Sequence, residues 1–317
     1  MWDVTANVDV EADAAVAAVE TSIEDLRREL QRLRRRDEGL SAAIRRLNEQ
    51  LEEAASIHRD LLSSPQPFIH GARVFSFDRP AETVGGDFQY VRRLDESHVA
   101  MALADATGHG LPAGMLAVFV QRSIRAAEHD LGSAGALTPE TVLERVNAEF
   151  LDANLKDCQF AAILYAVYDE STHIIRWARA GACYPILVRQ GVEPRQIVSA
   201  GPLAGVSRDP RFEIAELRLS PGDSLVFHSD GLEALLLGEQ AAGGCGLGET
   251  DWVQDLGDSP IDRQLESLKW RLDAARADDW RADDVTVLIL QRDETSRPLH
   301  RRPAGVRPFA ELAEAAR

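Results

Sequence analysis

A heptad repeat near the start of this 317-residue chain restricts its fold more than any other feature. One seam position of the repeat holds Val16, Ile23, Leu30, Asp37, Ile44, Leu51 and His58, and the other holds Val19, Leu26, Leu33, Leu40, Leu47, Ala54 and Leu61. A narrow apolar stripe with charged flanks is typical of a coiled coil. The alternative, one amphipathic helix packed on its own domain, usually needs a wider apolar face. The repeat therefore predicts a coiled-coil helix over 16–64 that joins two copies of the chain.

Changes in composition on either side of this helix mark the domain boundaries. Residues 1–15 are small and acidic without periodicity, which predicts a disordered lead. The prolines within 63–67 end the helix, because proline cannot continue it, so a folded domain is expected over 65–293. Residues 294–317 are rich in Arg and Pro and are expected to form a mobile basic tail. Asp37 on the seam lowers the stability of the coil, which would suit a switch.

The overall charge and the cysteines exclude several classes of protein. A formal net charge of −17 argues against sequence-independent nucleic-acid binding, which needs Lys and Arg to neutralise phosphates. The sequence has no apolar stretch of membrane-spanning length and no signal-peptide pattern at its N-terminus. Cys158, Cys183 and Cys245 are far apart and form no Cys-x-x-Cys motif, so neither a thiolate metal site nor a disulfide framework is expected. These features predict a cytoplasmic protein without nucleic-acid or membrane partners.

Beyond the first helix, the hydrophobic pattern changes quickly between strand and helix. Strands are predicted over 72–77, 88–94, 98–105, 160–169, 173–181, 184–190, 212–220, 223–230 and 284–292. Helices are predicted over 111–129, from Thr138-Pro139, where a capping residue precedes a proline, and after Ser259-Pro260. Because the strands arrive in runs and two of the helices are adjacent, the pattern favours an α+β sandwich over an alternating parallel fold.

Four acidic stretches lie at predicted strand ends beside turn-forming residues. They contain Asp87, Asp105, Asp230 and the pair Asp283-Asp284. A charge beside a hydrophobic run is costly unless it is compensated, so each aspartate is either a hydrogen-bonded cap or a metal ligand. A cap is the commoner explanation for any one of them, but four stretches with the same local pattern favour a shared metal site. Carboxylate oxygens suit hard cations such as Mg²⁺ or Mn²⁺ rather than zinc.

The first of these stretches, Gly85-Gly86-Asp87-Phe88, is also similar to the start of a cyclic-dinucleotide synthase signature, Gly-Gly-Asp/Glu-Glu-Phe. Here the tetrapeptide continues with Gln89-Tyr90 and is followed by the second acidic stretch at Asp105. A nucleotide cyclase is therefore a disfavoured alternative, and formation of a product from GTP would be its test.

The motifs VGGDF, ADATGHGLPAGM, AGACYPILV, SDGLEA and ADDVTVLIL follow one another over roughly residues 65–293. In this order they resemble the metal-dependent protein phosphatase (PPM) family, in its SpoIIE/RsbU branch of bacterial serine/threonine phosphatases. Each motif is weak alone, and the set is specific. The resemblance implies a four-layer αββα sandwich, with two β-sheets between helices and a two-metal site at one end.

The resemblance also implies a ligand set. Asp105 would bridge both metals, and the backbone carbonyl of Ala106 would bind one of them. Asp230 and Asp283 would hold the first metal, and Asp87 would hold the other, partly through water. Two Mn²⁺ or Mg²⁺ ions would activate a shared water as the nucleophile, so no side-chain nucleophile is expected.

Several neighbouring residues have other expected roles. His109 could protonate the leaving oxygen as a general acid, or could serve only to shape the turn into the next helix. Asp284 is expected in a turn or behind the ligands, and Glu233 at the start of a helix. Two positions depart from the family pattern, because Tyr90 replaces an aspartate and Ala182 replaces a histidine. The first replacement argues against the binding of an additional metal.

The resemblance implies a protein serine/threonine phosphatase. With the predicted coil and the cytoplasmic location inferred above, the expectation is an enzyme that dimerises, and is regulated, through its N-terminal coil. The typical substrate of this branch is a phosphorylated anti-sigma-factor antagonist of the STAS type. A regulatory protein that binds the coil would be the second partner. The alternative from a different class is a phosphatase-like scaffold that binds a partner through the coil and catalyses nothing; metal-dependent turnover would exclude it.

Overall fold

The computed structural model describes residues 5–155, 159–237, 247–277 and 283–294, with side chains described from Leu26 onward except at 276–277. The tail predicted over 294–317 lies outside these ranges after Glu294, as do Cys158 and Cys245. The chain divides into two compact units between Ser56 and Ile57.

The first unit consists of most of helix α1 (Thr5–Leu62). The predicted helix is therefore present, but it begins at Thr5 rather than Val16, so residues 5–15 of the predicted disordered lead are helical, and residues 1–4 lie outside the described residues. The alanines and the single glutamate of that segment are strong helix formers that need no apolar period. The heptad side chains Leu26, Leu30, Leu33, Leu40, Ile44 and Leu47 are 50–67 % exposed.

The second unit contains ten strands and five further helices in the residues that are described. The strands are β1 (Ala72–Arg79), β2 (Asp87–Arg93), β3 (His98–Ala106), β4 (Ala161–Asp169), β5 (Ile174–Ala180), β6 (Ile186–Arg189), β7 (Val192–Gln196), β8 (Ala215–Arg218), β9 (Ser224–His228) and β10 (Val285–Arg292). The helices are α2 (Gly110–Ala134), α3 (Pro139–Ala153), α4 (Asp230–Leu237), α5 (Asp251–Asp255) and α6 (Ile261–Ala277). None of the helices in the described ranges has the length and hydropathy of a membrane span.

The strands form two five-stranded antiparallel sheets. The first sheet has the order β1-β10-β9-β6-β7, and the second has the order β2-β3-β4-β5-β8. Strand β7 was not predicted, and neither was α5. Pro194 lies within β7, and a proline is tolerated there because β7 is at the edge of its sheet.

Alternation along the strands explains why the molecule has four layers. In β3, Val99, Met101 and Leu103 pack between the sheets, whereas Ala100 and Ala102 contribute to the core beneath α2 and α3. In β10, likewise, Leu288 and Leu290 face the other sheet, whereas the alternate residues Val287 and Ile289 pack with α5 and α6. Both faces of each sheet are therefore covered, which confirms the predicted αββα sandwich.

The helix that begins after Thr138 is capped as predicted. The Thr138 side chain accepts a hydrogen bond from the Thr141 backbone N–H, and the Thr141 hydroxyl accepts one from the Thr138 N–H. Pro139 occupies the first helical position, where its missing N–H costs nothing. This reciprocal cap fixes the start of α3 against the second sheet.

Candidate metal centre

Asp87 and Asp105 come together because β2 and β3 pair in antiparallel register. Asp87 is the first residue of β2 and lies directly opposite Asp105, near the end of β3. Directly opposed residues in such a pair bring their Cβ atoms to about 5 Å. The Oδ2 atom of Asp87 is shielded from solvent and has no hydrogen-bond partner among the described residues.

Asp284 fixes the turn that presents Asp87. Its Oδ1 accepts a hydrogen bond from Ala81 N (2.7 Å), and its Oδ2 accepts from Gly86 N (2.6 Å) and Asp87 N (3.2 Å). A Cβ atom at Gly85 would lie 2.5 Å from Asp284 Oδ2, so only glycine fits beside this carboxylate. Both carboxylate oxygens of Asp284 therefore bind the backbone of the turn, which agrees with its expected place in a turn or behind the ligands.

Asp230 and Asp283 meet where β9 passes into α4 and the chain enters β10. Ser229 links the two segments: its hydroxyl donates to Asp284 O (3.2 Å) and accepts from Thr286 N (2.9 Å). A Cβ atom at Gly231 would lie only 2.0 Å from Asp284 O, which shows how closely the two backbones approach. The first turn of α4 is therefore packed directly on the segment that carries Asp283.

The carbonyl of Ala106 lies in a space that a glycine keeps open. Ala106 N donates to Gly86 O (3.2 Å), and a Cβ atom at Gly86 would lie 2.6 Å from Ala106 O. The Gly-Gly sequence before Asp87 thus has two functions: Gly85 admits Asp284, and Gly86 leaves the Ala106 carbonyl accessible.

The carboxylates destabilise one another in the absence of a cation. Burial first and neighbouring carboxylates second raise the pKa of Asp105 to about 7; those neighbours are Asp230, Asp283 and Asp284. Burial and the charge of Asp105 raise the pKa of Asp87 well above its usual range, although the hydroxyls of Ser229 and Thr286 oppose the shift. Burial and Asp283 raise the pKa of Asp230. Buried, mutually repelling oxygen ligands with one unpaired oxygen fit divalent cations.

A profile of the family described as stage II sporulation protein E (SpoIIE) matches residues 95–293, more than half of the chain. The chain belongs to the SpoIIE family. The matched range contains Asp105, Asp230 and Asp283, while Asp87 precedes it. Membership confirms the resemblance that the motifs indicated and leaves the cyclase-like reading of Gly85-Gly86-Asp87 without support.

Curated relatives of this SpoIIE-family chain include two bacterial proteins. The phosphoserine phosphatase RsbU of Bacillus subtilis (strain 168) is 26 % identical over 187 residues, which are 59 % of this chain and 54 % of RsbU. Protein IcfG of Synechocystis sp. is 23 % identical over 211 residues, covering 58 % of this chain and 32 % of IcfG. The chain thus matches about half of RsbU and about a third of IcfG.

Solved structures show the same fold. The SiaA-PP2C domain of Pseudomonas aeruginosa superposes with a TM-score of 0.64 at 20 % identity and covers 80 % of this chain and 99 % of that domain. The RsbU and RsbW domains of Rv1364c from Mycobacterium tuberculosis give 0.57 at 23 % identity, covering 79 % and 68 %. The PP2C domain of SpoIIE from Bacillus subtilis gives 0.55 at 16 % identity, covering 71 % and 64 %. The sandwich of this SpoIIE-family chain is therefore a PP2C fold.

His109 lies at the rim rather than among the carboxylates. It adopts an extended conformation before α2 and makes no side-chain cap, and its side chain is 87 % exposed. Its Nδ1 is 2.9 Å from Glu82 Oε1. The glycines on both sides, Gly108 and Gly110, have φ values of 99° and 66°, which side chains rarely adopt. The turn requires these glycines, and the role of His109 as a general acid stays a prediction.

The two departures from the family pattern lie in structural positions. Tyr90 is buried on the side of β2 that faces α2, where its hydroxyl donates to Glu128 Oε2 (2.8 Å). Glu128 also accepts from the Tyr165 hydroxyl (2.8 Å). Ala182 is buried, and its carbonyl accepts from the Arg179 guanidinium. Tyr90 points away from the carboxylates of the candidate metal centre because side chains alternate along a strand.

The raised carboxylate pKa values predict how pH changes the stability of the cation-free protein. Folded Asp105 has a pKa of about 7 and an ordinary one when unfolded, so folding binds a proton between about pH 4 and pH 7. Its contribution to stability therefore decreases as pH rises through this range. We expect Asp105→Asn to raise the free energy of unfolding in chelator at pH 8. The difference between the folded and unfolded pKa implies about 4 kcal/mol, which solvent screening reduces to about 2 kcal/mol.

At pH 5 the same substitution should raise the free energy of unfolding far less, because folded Asp105 is protonated there and only the ionisation of the unfolded chain remains. Denaturant unfolding of both proteins at each pH measures the difference. The comparison also cancels the opposite pH dependence expected of buried histidines such as His228, whose pKa burial lowers to about 4. Equal destabilisation by the substitution at both pH values would contradict the prediction.

Proposed function

We propose that this protein is a metal-dependent serine/threonine phosphatase that hydrolyses phosphoserine or phosphothreonine on a signalling protein. One observation carries the proposal: the fold collects the carboxylates of Asp87, Asp105, Asp230 and Asp283 from four separate segments into one repelling cluster. The relative RsbU is named a phosphoserine phosphatase, which supports the same chemistry.

The ligand set is the one that the sequence motifs implied. Asp105 would hold both cations, Ala106 O, Asp230 and Asp283 would hold one, and Asp87 would hold the other. When bound, two Mn²⁺ or Mg²⁺ ions lower the pKa of a water and neutralise charge that develops on the phosphoryl oxygens. The residues behind the ligands supply orientation, since three backbone N–H groups fix Asp284 and thereby Asp87.

The substrate that we propose is a phosphorylated STAS-type anti-sigma-factor antagonist in the cytoplasm. This proposal relies on the family and on its RsbU relative, and a partner-switching system would provide both substrate and regulator. The proposed organisation is a coil over 16–64 followed by a phosphatase domain over 65–293. Nucleic acid and membrane have no part in it, in accordance with the acidic charge of the chain.

The exposed heptad side chains support dimerisation through the coil. The large apolar side chains at seam positions from Leu26 to Leu47 are each at least half exposed in a single chain. An apolar stripe of this length on one helix is stabilised when a second helix covers it. We therefore propose a homodimer, to which a regulatory protein binds at the coil.

The last turn of α1, which belongs to the second unit, contacts α2 and the residue that precedes the turn of Asp87. Within the second unit, the Leu62 carbonyl accepts a hydrogen bond from Gln121 Nε2 of α2 (2.7 Å). His58 packs over Gly114, also in α2, where an added Cβ atom would lie 3.0 Å from His58 Nε2 and 2.2 Å from Val84 Cγ1. Val84 directly precedes the Gly-Gly turn of Asp87. A shift of this helical turn would thus reach the turn that presents Asp87.

Replacing Asp37 by leucine should strengthen the dimer. The substitution removes a charge from the seam and adds apolar contact, so we expect the dissociation constant of the full chain to fall about tenfold or more. Analytical ultracentrifugation over a concentration series measures it. Glu38→Leu is the matched control, because Glu38 is adjacent but lies off the seam. Equal effects of the two substitutions would contradict the seam assignment.

Release of phosphate from a phosphoserine peptide tests the proposed activity. We expect release by the wild-type chain with Mn²⁺ or Mg²⁺, none with chelator, and recovery when the cation is restored. A chain that binds the cations and releases no phosphate from the peptide or from a phosphorylated STAS protein would instead be a scaffold, which would overturn the proposal.

A further inference from the structure

A second group of potential metal ligands lies outside the all-oxygen cluster. The Sγ of Cys183, a ring nitrogen of His228 and a carboxylate oxygen of Glu233 all lie within 4.8 Å of one another. Cys183 is in the loop between β5 and β6, His228 ends β9, and Glu233 is in the first turn of α4. The packing of these elements on the first sheet brings the three side chains together.

The chemistry of this set differs from that of the carboxylate cluster. Thiolate and imidazole ligands favour zinc and similar cations, whereas Mg²⁺ and Mn²⁺ prefer oxygen. Three protein ligands leave a fourth tetrahedral position for water or another group. In a zinc site the sulfur and nitrogen would be about 3.6 Å apart, so side-chain adjustments of about 1 Å would complete the site.

The surroundings of His228 fit a metal ligand. The side chain is buried, and its ring nitrogens lie 3.1 Å from Ser229 O and 3.2 Å from Tyr184 O. Burial keeps an imidazole neutral, and a neutral imidazole has only one N–H to donate. One nitrogen can therefore donate to its carbonyl, and the other turns its lone pair toward a carbonyl oxygen, an unfavourable contact that a bound cation would relieve. Metal-binding histidines are oriented in this way by backbone carbonyls.

We propose that Cys183, His228 and Glu233 bind one zinc-like divalent cation beside the all-oxygen centre. On binding, the Cys183 thiol gives its proton to solvent and the thiolate sulfur binds the metal. The proposed site departs from the expectation from cysteine spacing that the chain has no thiolate metal site. That spacing was uninformative because the ligands come from a loop, a strand and a helix. Glu233 and Asp230 share one turn of α4, so the two metal sites are neighbours.

Cobalt is a spectroscopic probe for this site. The experiment uses the full-length chain with Cys158→Ser and Cys245→Ser, so that Cys183 is the single thiol, in excess Mg²⁺ and reducing agent. We expect one equivalent of Co²⁺ to produce a thiolate-to-cobalt charge-transfer band, and Zn²⁺ to displace it. Glu233→Gln should weaken Co²⁺ binding about tenfold or more. Asp105→Asn, which alters the carboxylate cluster and removes no ligand of this site, should leave the band in place and change the Co²⁺ affinity far less than Glu233→Gln does.

A second measurement compares wild type with Cys183→Ala, and both proteins keep Cys158 and Cys245. Zn²⁺ should raise the melting temperature of the wild-type chain in Mg²⁺, and Cys183→Ala should remove that increase while the variant remains folded. Absence of the charge-transfer band at one equivalent of Co²⁺, or equal zinc stabilisation of wild type and Cys183→Ala, would overturn the proposal. Neither measurement depends on phosphatase activity.

Discussion

Asp105→Asn should reduce cation-dependent phosphate release about a thousandfold or more. Asp105 lies opposite Asp87 in the β-ladder, and the charges of Asp230 and Asp283 raise its pKa. It therefore interacts with each of the other three carboxylates. The amide keeps the shape of the side chain but removes the negative charge that would hold both cations. Loss of a single preorganised electrostatic group already costs about a hundredfold to a thousandfold in many enzymes.

Initial rates of phosphate release at saturating Mn²⁺ measure this effect. Asp258→Asn provides the matched control, because Asp258 is an exposed aspartate in the same unit. The control should retain the wild-type rate. An Asp105→Asn variant within tenfold of wild type would contradict the role of Asp105, and the gain in cation-free stability at pH 8 distinguishes lost chemistry from a failure to fold.

Gly231→Ala should be the most disruptive small substitution at the site. Its Cβ atom would lie 2.0 Å from Asp284 O and 2.9 Å from Asp284 C, and backbone atoms cannot rotate away as a flexible side chain can. The start of α4 must therefore move, and Asp230 moves with it. We expect the free energy of unfolding to fall by about 3 kcal/mol and the activity at moderate Mn²⁺ to fall about a hundredfold.

Denaturant unfolding and Mn²⁺-dependent rates on one preparation measure both effects. Gly132→Ala, in α2, is the matched control, because its Cβ atom would meet only Leu137 Cδ1 at an ordinary 3.7 Å. There the better helix propensity of alanine should stabilise the chain by up to about 1 kcal/mol. Similar stabilities for the two variants would contradict the close packing of α4 on the segment of Asp283 and Asp284.

Much of this fold follows from local sequence signals. Strict alternation of large and small apolar residues in β3 specifies which face meets the other sheet and which meets α2. Thr138-Pro139 specifies the start of α3, and that prediction is confirmed. The turn residues around Asp87, Asp105 and Asp230 also placed the acids at the ends of elements, where a shared site can form.

The remaining features depend on contacts between distant segments, which periodicity does not encode. Three backbone N–H groups bind Asp284 because Gly85 leaves room for its carboxylate. The buried orientation of Tyr90 depends on Glu128, which lies two elements away in the chain. The helical conformation of residues 5–15 could not be predicted, because helix propensity without an apolar period gives no amphipathic signal.

The carboxylate cluster is proposed to bind two divalent cations that make the protein a phosphatase. The most direct test counts Mn²⁺ bound per chain at equilibrium in wild type and Asp105→Asn, with phosphate release measured on the same samples. We predict two ions per wild-type chain, activity that rises as they bind, and loss of both binding and activity in the variant. Wild-type activity without bound Mn²⁺ or Mg²⁺, or equal ion counts in the two proteins, would contradict the claim.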